Sequence, residues 1–187
     1  MTVIDDLITD ANTRMDKSVA SARNDFSTLR TGRANASLLD RVMVQYYGTI
    51  TPLKQLASIG APEPRLLTVT PFDKTSMKDI ERGITESDLG LNPSNDGQII
   101  RLPIPELTKE RRKEMVKMCG KLAEDGKIAV RGVRRDVMSQ LKDLTKSGDI
   151  GEDEARKGEA ELQKATDAHI AEIDHAVKSK EAEIMEV

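Results

Sequence analysis

Between residues 105 and 146, twelve Lys/Arg stand against seven Asp/Glu, in a 187-residue chain whose formal net charge is −3. Set on a helix at about 100° per residue, nine of those cations gather on one side. Lys109, Lys113, Lys117, Lys127, Arg131, Arg134, Arg135, Lys142 and Lys146 all fall within about 60° of Arg131. Only Glu106, Glu110 and Glu124 of the acids share that arc. Met115, Cys119, Leu122, Val130, Val133, Val137 and Leu144 lie mostly on the other side. A rod with an apolar stripe toward its neighbours and a cationic stripe toward solvent is suited to lie on a polyanion, with RNA the first candidate. Such contact runs through phosphates and helix shape rather than stacked bases. Phe26, Phe72, Tyr46 and Tyr47 are the only Phe, Tyr or Trp rings the chain has.

Other reactive residue types give less. His169 and His175 are six residues apart on one helical segment, so they point away from each other and no Cys or His completes a metal set. Cys119, the one cysteine, falls on the apolar stripe and reads as a small core residue. The acids Glu152, Asp153 and Glu154 match the positive end of a helix dipole better than a Mg²⁺ site. No phosphate-cradling glycine loop, Ser/His/Asp order or catalytic carboxylate pair stands out. The expectation is a protein that is not an enzyme, with no metal and no cofactor.

Three helical rods and an insert must position the stripe. Ile4, Ile8, Ala11, Met15, Val19, Ala22, Phe26 and Leu29 step by three or four, predicting a helix over about 2–30. Thr2 and Asp5 form a capping-box start, and Gly32 is the expected stop. The second helix runs over about 107–146, despite Gly120, Gly126 and Gly132, each costing about 1 kcal/mol relative to Ala. A turn at Ser147-Gly148-Asp149 leads to a third, whose seam is Ala155, Leu162, Ala165, His169, Ile173, Ala176, Lys180 and Ile184. Residues 147–187 hold twelve acids and five bases, so flanking ion pairs between the second and third helices are expected to help knit the bundle.

Residues 34–104 differ in kind. Val42, Val44 and Tyr46 alternate up to the turn residue Gly48, and Leu66–Thr70 and Gln98–Leu102 are further apolar, β-branched runs. Ser76 to Ser87 reads as a short helix with Met77, Ile80 and Ile84 facing a sheet, while Pro52, Pro62, Pro64 and Pro93 mark loops. The fold class is therefore α+β: a long antiparallel three-helix bundle (1–30 and 105–187) with an inserted small β/α/β domain (31–104). Two linkers, Arg30-Thr31-Gly32-Arg33 and Pro103-Ile104-Pro105, read as a hinge. No apolar run approaches the ~20 residues of a membrane span and no signal peptide is evident, so a cytoplasmic monomer is expected.

The residues also carry a resemblance. Arg30-Thr-Gly-Arg-Ala34, Leu38-Leu39-Asp40 and Tyr46-Tyr47-Gly48-Thr49 come first. Ser87-Asp-Leu-Gly-Leu-Asn-Pro93, Ile100-Arg-Leu-Pro-Ile-Pro105, Leu107-Thr-Lys-Glu-Arg-Arg-Lys113 and Ala129-Val-Arg-Gly-Val-Arg-Arg-Asp136 follow. With Lys180-Glu-Ala-Glu-Ile-Met185 they resemble, in order and over essentially the whole chain, the bacterial ribosome recycling factors. The resemblance implies an L-shaped molecule of transfer-RNA-like dimensions. It implies a role after translation termination: rRNA binding to the large subunit, then splitting of the ribosome with elongation factor G and GTP, releasing mRNA and deacylated tRNA. It also implies that Arg131, Arg134 and Arg135 touch ribosomal RNA, with Arg111 and Arg112 as further candidates beside Lys113, Lys117 and Lys127. Gly132 departs from the Asn that the family commonly carries there. The competing reading is a helical scaffold or adaptor whose basic face is incidental. It predicts a stable oligomer that ignores ribosomes.

Overall fold

The computed structural model describes residues 2–29 and 31–186. Arg30, one of the expected hinge positions, lies outside the described residues. The chain forms two compact units. One comprises the chain through Leu29 together with Lys113–Met185, and the other runs on to Arg112 and includes Glu186.

The first unit is helical. Helix α1 (Val3–Ser27) opens on the anticipated capping box, with the Thr2 amide 2.7 Å from the Asp5 carboxylate and the Asp5 amide 3.2 Å from the Thr2 hydroxyl. It stops before Gly32, contrary to expectation. Ser27 and Thr28 turn their hydroxyls back onto the Asn24 and Asp25 carbonyls, each at 2.7 Å, and satisfy the last turn locally. Gly32, at φ +75°, instead packs its Cα face against the Leu107 side chain.

In the small unit, strands β1 (Met43–Tyr46) and β2 (Thr49–Pro52) form an antiparallel hairpin. Tyr47 (φ 46°) and Gly48 (φ 78°) make a turn whose two central residues both have positive φ. One helical turn, α2 (Leu53–Leu56), leads into β3 (Ala57–Glu63) and β4 (Leu66–Pro71). Helix α3 (Met77–Glu86) buries Met77, Ile80 and Ile84, the three residues read from the sequence; each contributes about 1.5–3 kcal/mol by leaving water. Strands β5 (Ser94–Asn95) and β6 (Ile100–Pro103) complete a second sheet of order β3-β4-β6-β5, antiparallel throughout.

The unit thus has more strands than the expected β/α/β. Pro52 ends β2 and Pro62 lies within β3, not in loops. Pro62 falls where the β3–β4 register shifts between Gly60 and Glu63 on an edge strand, a place that tolerates a missing N–H. The third expected strand starts two residues late. Asp96 accepts the Gln98 and Ile99 amides at 3.0 and 2.9 Å and draws them into a turn. Pro103 pairs with Leu66, and Ile104 is buried with its amide donating to the Arg65 carbonyl at 2.8 Å. Both residues belong to the sheet unit's ladder and core.

Helix α4 (Lys109–Ser147) runs uninterrupted through all three glycines for 39 residues, about 58 Å at 1.5 Å per residue. Gly126 has a packing reason: a Cβ there would stand 3.0 Å from Ala22 Cβ and 3.2 Å from Ile173 Cδ1. Around Gly120 and Gly132 a Cβ would meet nothing within 4 Å. The turn to α5 (Glu152–Met185) uses Gly148 at φ +81°, with the Asp149 amide donating to the Leu144 carbonyl at 3.0 Å. Glu154 accepts the Gly151 amide at 2.9 Å, so the acidic first turn caps as well as matching the dipole.

The helical core is Ala11, Met15, Val19, Ala22 and Phe26 of α1 against Ala123, Val130, Val133, Val137 and Leu141 of α4 and Leu162 and Ile173 of α5. Ala123 and Leu141 take the places expected for Leu122 and Leu144, which are half-buried. Lys180, the poor fit in the α5 seam, is half-buried and ion-paired with Glu183 at 3.3 Å. His169 is buried as a strut between helices. Its Nδ1 lies 2.6 Å from the Ala165 carbonyl and its Nε2 2.9 Å from Asp16 Oδ1 on α1.

Candidate nucleic-acid interface

The buried residues of α4 (Met115, Cys119, Ala123, Val130, Val133, Val137 and Leu141) centre about 120° of rotation from Arg131. The direction facing straight out of the bundle is therefore about 60° from Arg131 on the far side, toward Lys117, Arg135, Lys142 and Lys146. Those four, with Lys113 and Arg131, are exposed. Burial of the apolar stripe forces them outward; the helix has no other place to put them.

Lys127 and Arg134 lie on the flank nearest the core, and the structure treats them differently. Lys127 forms an ion pair with Asp174 on α5, and its side chain is only 20% exposed. Arg134 is half-buried, with Nε out of solvent and without a hydrogen-bond partner among the described residues. Arg131 stands clear, but its Nη1 donates to Glu124 Oε1 at 2.9 Å, two turns back along the same side. Arg111 is exposed and Arg112 half-buried, both at the start of α4 and within the sheet-containing unit. Arg111 sits roughly 160° of rotation from Arg131, so it does not continue the stripe.

Glu106 lies before the helix and pairs with Arg65, leaving Glu110 and Glu124 as the acids of the arc that are on α4. The bundle's ion pairs also differ from expectation. Lys127–Asp174 does join α4 to α5, but α1 supplies the arginines elsewhere, Arg14 to Asp136 of α4 at 2.7 Å and Arg23 to Glu172 of α5 at 3.1 Å. Asp136 and the neighbouring Asp10 hold the Arg14 guanidinium above its ordinary range. Arg14 therefore serves the bundle.

Ile128 escaped the sequence reading. It is 52% exposed among the cations, about 60° from Arg131 on the outward side. Its signal was available: an aliphatic residue outside the buried stripe. Cys119 is buried, and that burial pushes its thiol up, away from the reactive thiolate. Among the described residues no group of His, Cys, Asp or Glu is arranged to hold a metal ion, and no helix is long and apolar enough to cross a membrane. The arrangement is a convex cationic surface, able to bind an anionic polymer without enclosing a small molecule.

The ribosome recycling factor family model matches residues 22–185. The chain is 57% identical over 180 residues to the ribosome-recycling factor of Rubrobacter xylanophilus, covering 96% of this chain and 97% of that one. It is 52% identical to the Bacillus subtilis factor, covering 97% and 98%. A solution structure of a ribosome recycling factor superposes with a TM-score of 0.79 at 37% identity, covering both chains completely. A second structure, at TM-score 0.68 and 43% identity over 98% of this chain and all of the other, models the T. thermophilus factor and E. coli elongation factor G bound to the E. coli post-termination complex. With family model, full-length relatives and fold in agreement, this chain belongs to the ribosome recycling factor family.

Proposed function

We propose that this protein, acting without catalysis of its own, recycles ribosomes. It binds the cytoplasmic post-termination ribosome, lays α4 on large-subunit ribosomal RNA and, with elongation factor G and GTP, separates the subunits so that mRNA and deacylated tRNA leave. The observation that carries this reading is the family membership over nearly the whole chain, joined to a solvent-facing cationic stripe on a 39-residue helix. In this reading Arg131 and Arg135 are the central phosphate contacts, with Lys113 and Lys117 extending them and Arg134 held at the edge by its half-buried stem. Lys127 contributes through the bundle, since Asp174 already engages it. Arg111 and Arg112 act from the other unit. The two linkers, near Thr31-Gly32-Arg33 and near Pro105, form the joint through which the sheet-containing unit passes on force that the GTP-hydrolysing partner supplies.

Light scattering from post-termination ribosomes, with and without elongation factor G and GTP, tests the function. Separation should require all three components, and failure to associate with ribosomes at any ionic strength would remove the reading. For the site, Arg131→Ala should weaken ribosome binding and reduce the salt dependence by about one phosphate contact, with helical circular dichroism unchanged. An unaltered affinity and slope would take Arg131 out of the interface.

A further inference from the structure

We infer that Glu124 is a positioning residue for Arg131, a resident anion that occupies the guanidinium in the free protein and competes with phosphate for it; this rests on the rRNA-binding reading above. Glu124 is seven residues before Arg131, about 20° away in rotation, and it lies inside the cationic arc. Both side chains are about half exposed, 54% and 49%, and the 2.9 Å hydrogen bond between them lies on the surface, away from the core. Neither residue is needed to fill the bundle interior. An acid there weakens the stripe for a polyanion, and its chemistry is that of the ligand Arg131 is proposed to take: an oxyanion accepting charge-assisted N–H bonds.

The consequence is a moderated grip. Before Arg131 can point Nη1 at a phosphate, it must leave Glu124 or share it, and the released carboxylate then repels the same phosphate. The pair holds the Arg131 side chain extended along the helix in the free protein, so it is presented in one orientation rather than many. A factor that works once per termination event has to leave the ribosome as well as bind it. Glu124 shortens the stay.

Binding to purified ribosomes, measured by sedimentation at two salt concentrations together with the dissociation rate, tests this with Glu124→Gln, Arg131→Ala and the double variant. Glu124→Gln should tighten binding about two- to fivefold at low salt, mainly through slower dissociation, with the gain shrinking as salt rises. In the Arg131→Ala background the same change should have little effect, because the residue through which Glu124 acts is gone. Equal tightening in both backgrounds would overturn the inference, leaving only a general charge effect. Unchanged or weaker binding by Glu124→Gln, with Arg131→Ala still harmful, would overturn it and spare the proposed function. Should Arg131→Ala itself bind normally, the inference falls together with the Arg131 contact it depends on. Thermal melts followed by circular dichroism would exclude a folding effect, since both side chains are at the surface.

Discussion

Replacing the three glycines of α4 one at a time by alanine separates helix propensity from packing within a single helix. Glycine costs about 1 kcal/mol relative to alanine in a helix interior, because its backbone loses more freedom on folding. At Gly120 and Gly132 an added methyl meets nothing within 4 Å, so that whole gain is available. Each substitution should stabilise the bundle by about 0.5–1 kcal/mol, raising its melting temperature by roughly 1–4 °C for a chain of this size. At Gly126 the methyl would arrive 3.0 Å from Ala22 Cβ and 3.2 Å from Ile173 Cδ1. Ala22 cannot rotate aside, so α1 must shift by a few tenths of an ångström. Overpacking of this kind costs about 1–3 kcal/mol, which cancels the propensity gain or exceeds it. The expected order of stability is therefore Gly120→Ala and Gly132→Ala above the parent, with Gly126→Ala equal to it or below. Urea unfolding followed at 222 nm reads the helical signal directly, and the midpoint should move while the slope stays constant. A Gly126→Ala protein stabilised as much as Gly120→Ala would show that the α1–α4–α5 contact yields to the methyl at no cost, refuting a packing role for Gly126.

Two further outcomes follow from local geometry. Asp96 accepts amides from Ile99 and Gln98 and an ion pair from Arg101 at 2.8 Å, which holds its carboxyl well below the usual carboxylate range. Because the folded value is depressed, this stabilisation is complete above the unfolded value near 3.8, declines progressively below it, and is fully lost only once pH falls through the folded value. Asp96→Asn should thus lower the stability of the sheet-containing unit at pH 7, with an effect that shrinks steadily as pH is taken from about 4 toward 2, read by amide hydrogen exchange in β6. Gly32→Ala should destabilise by about 1–2 kcal/mol, since alanine disfavours the left-handed φ and its methyl would press on Leu107 Cγ at 3.1 Å. A denaturation midpoint equal to the parent's would show that the segment relaxes freely.

What the sequence alone determined is what depends on near neighbours. Helical periods, the Thr2–Asp5 capping box, the acidic start of α5, the seat of Met77, Ile80 and Ile84 on α3, and the cationic arc of α4 each follow from residues a few positions apart. The family motifs extend that reading along the whole chain. Tertiary structure decided whatever depended on partners distant in the chain. Strand β3, rich in Gly, Ala and Pro, has no strong signal of its own and exists because β4 pairs with it. Gly126 looks like a helix fault until Ala22 and Ile173 arrive beside it. Lys127 and Arg131 fall within the same cationic arc of a helical wheel, about 40° apart. Yet Asp174, 47 residues on, draws Lys127 toward α5, while Glu124 keeps Arg131 at the surface. A helical wheel records direction around one axis, whereas the availability of a charge depends on which oppositely charged atoms the rest of the fold brings within hydrogen-bond reach.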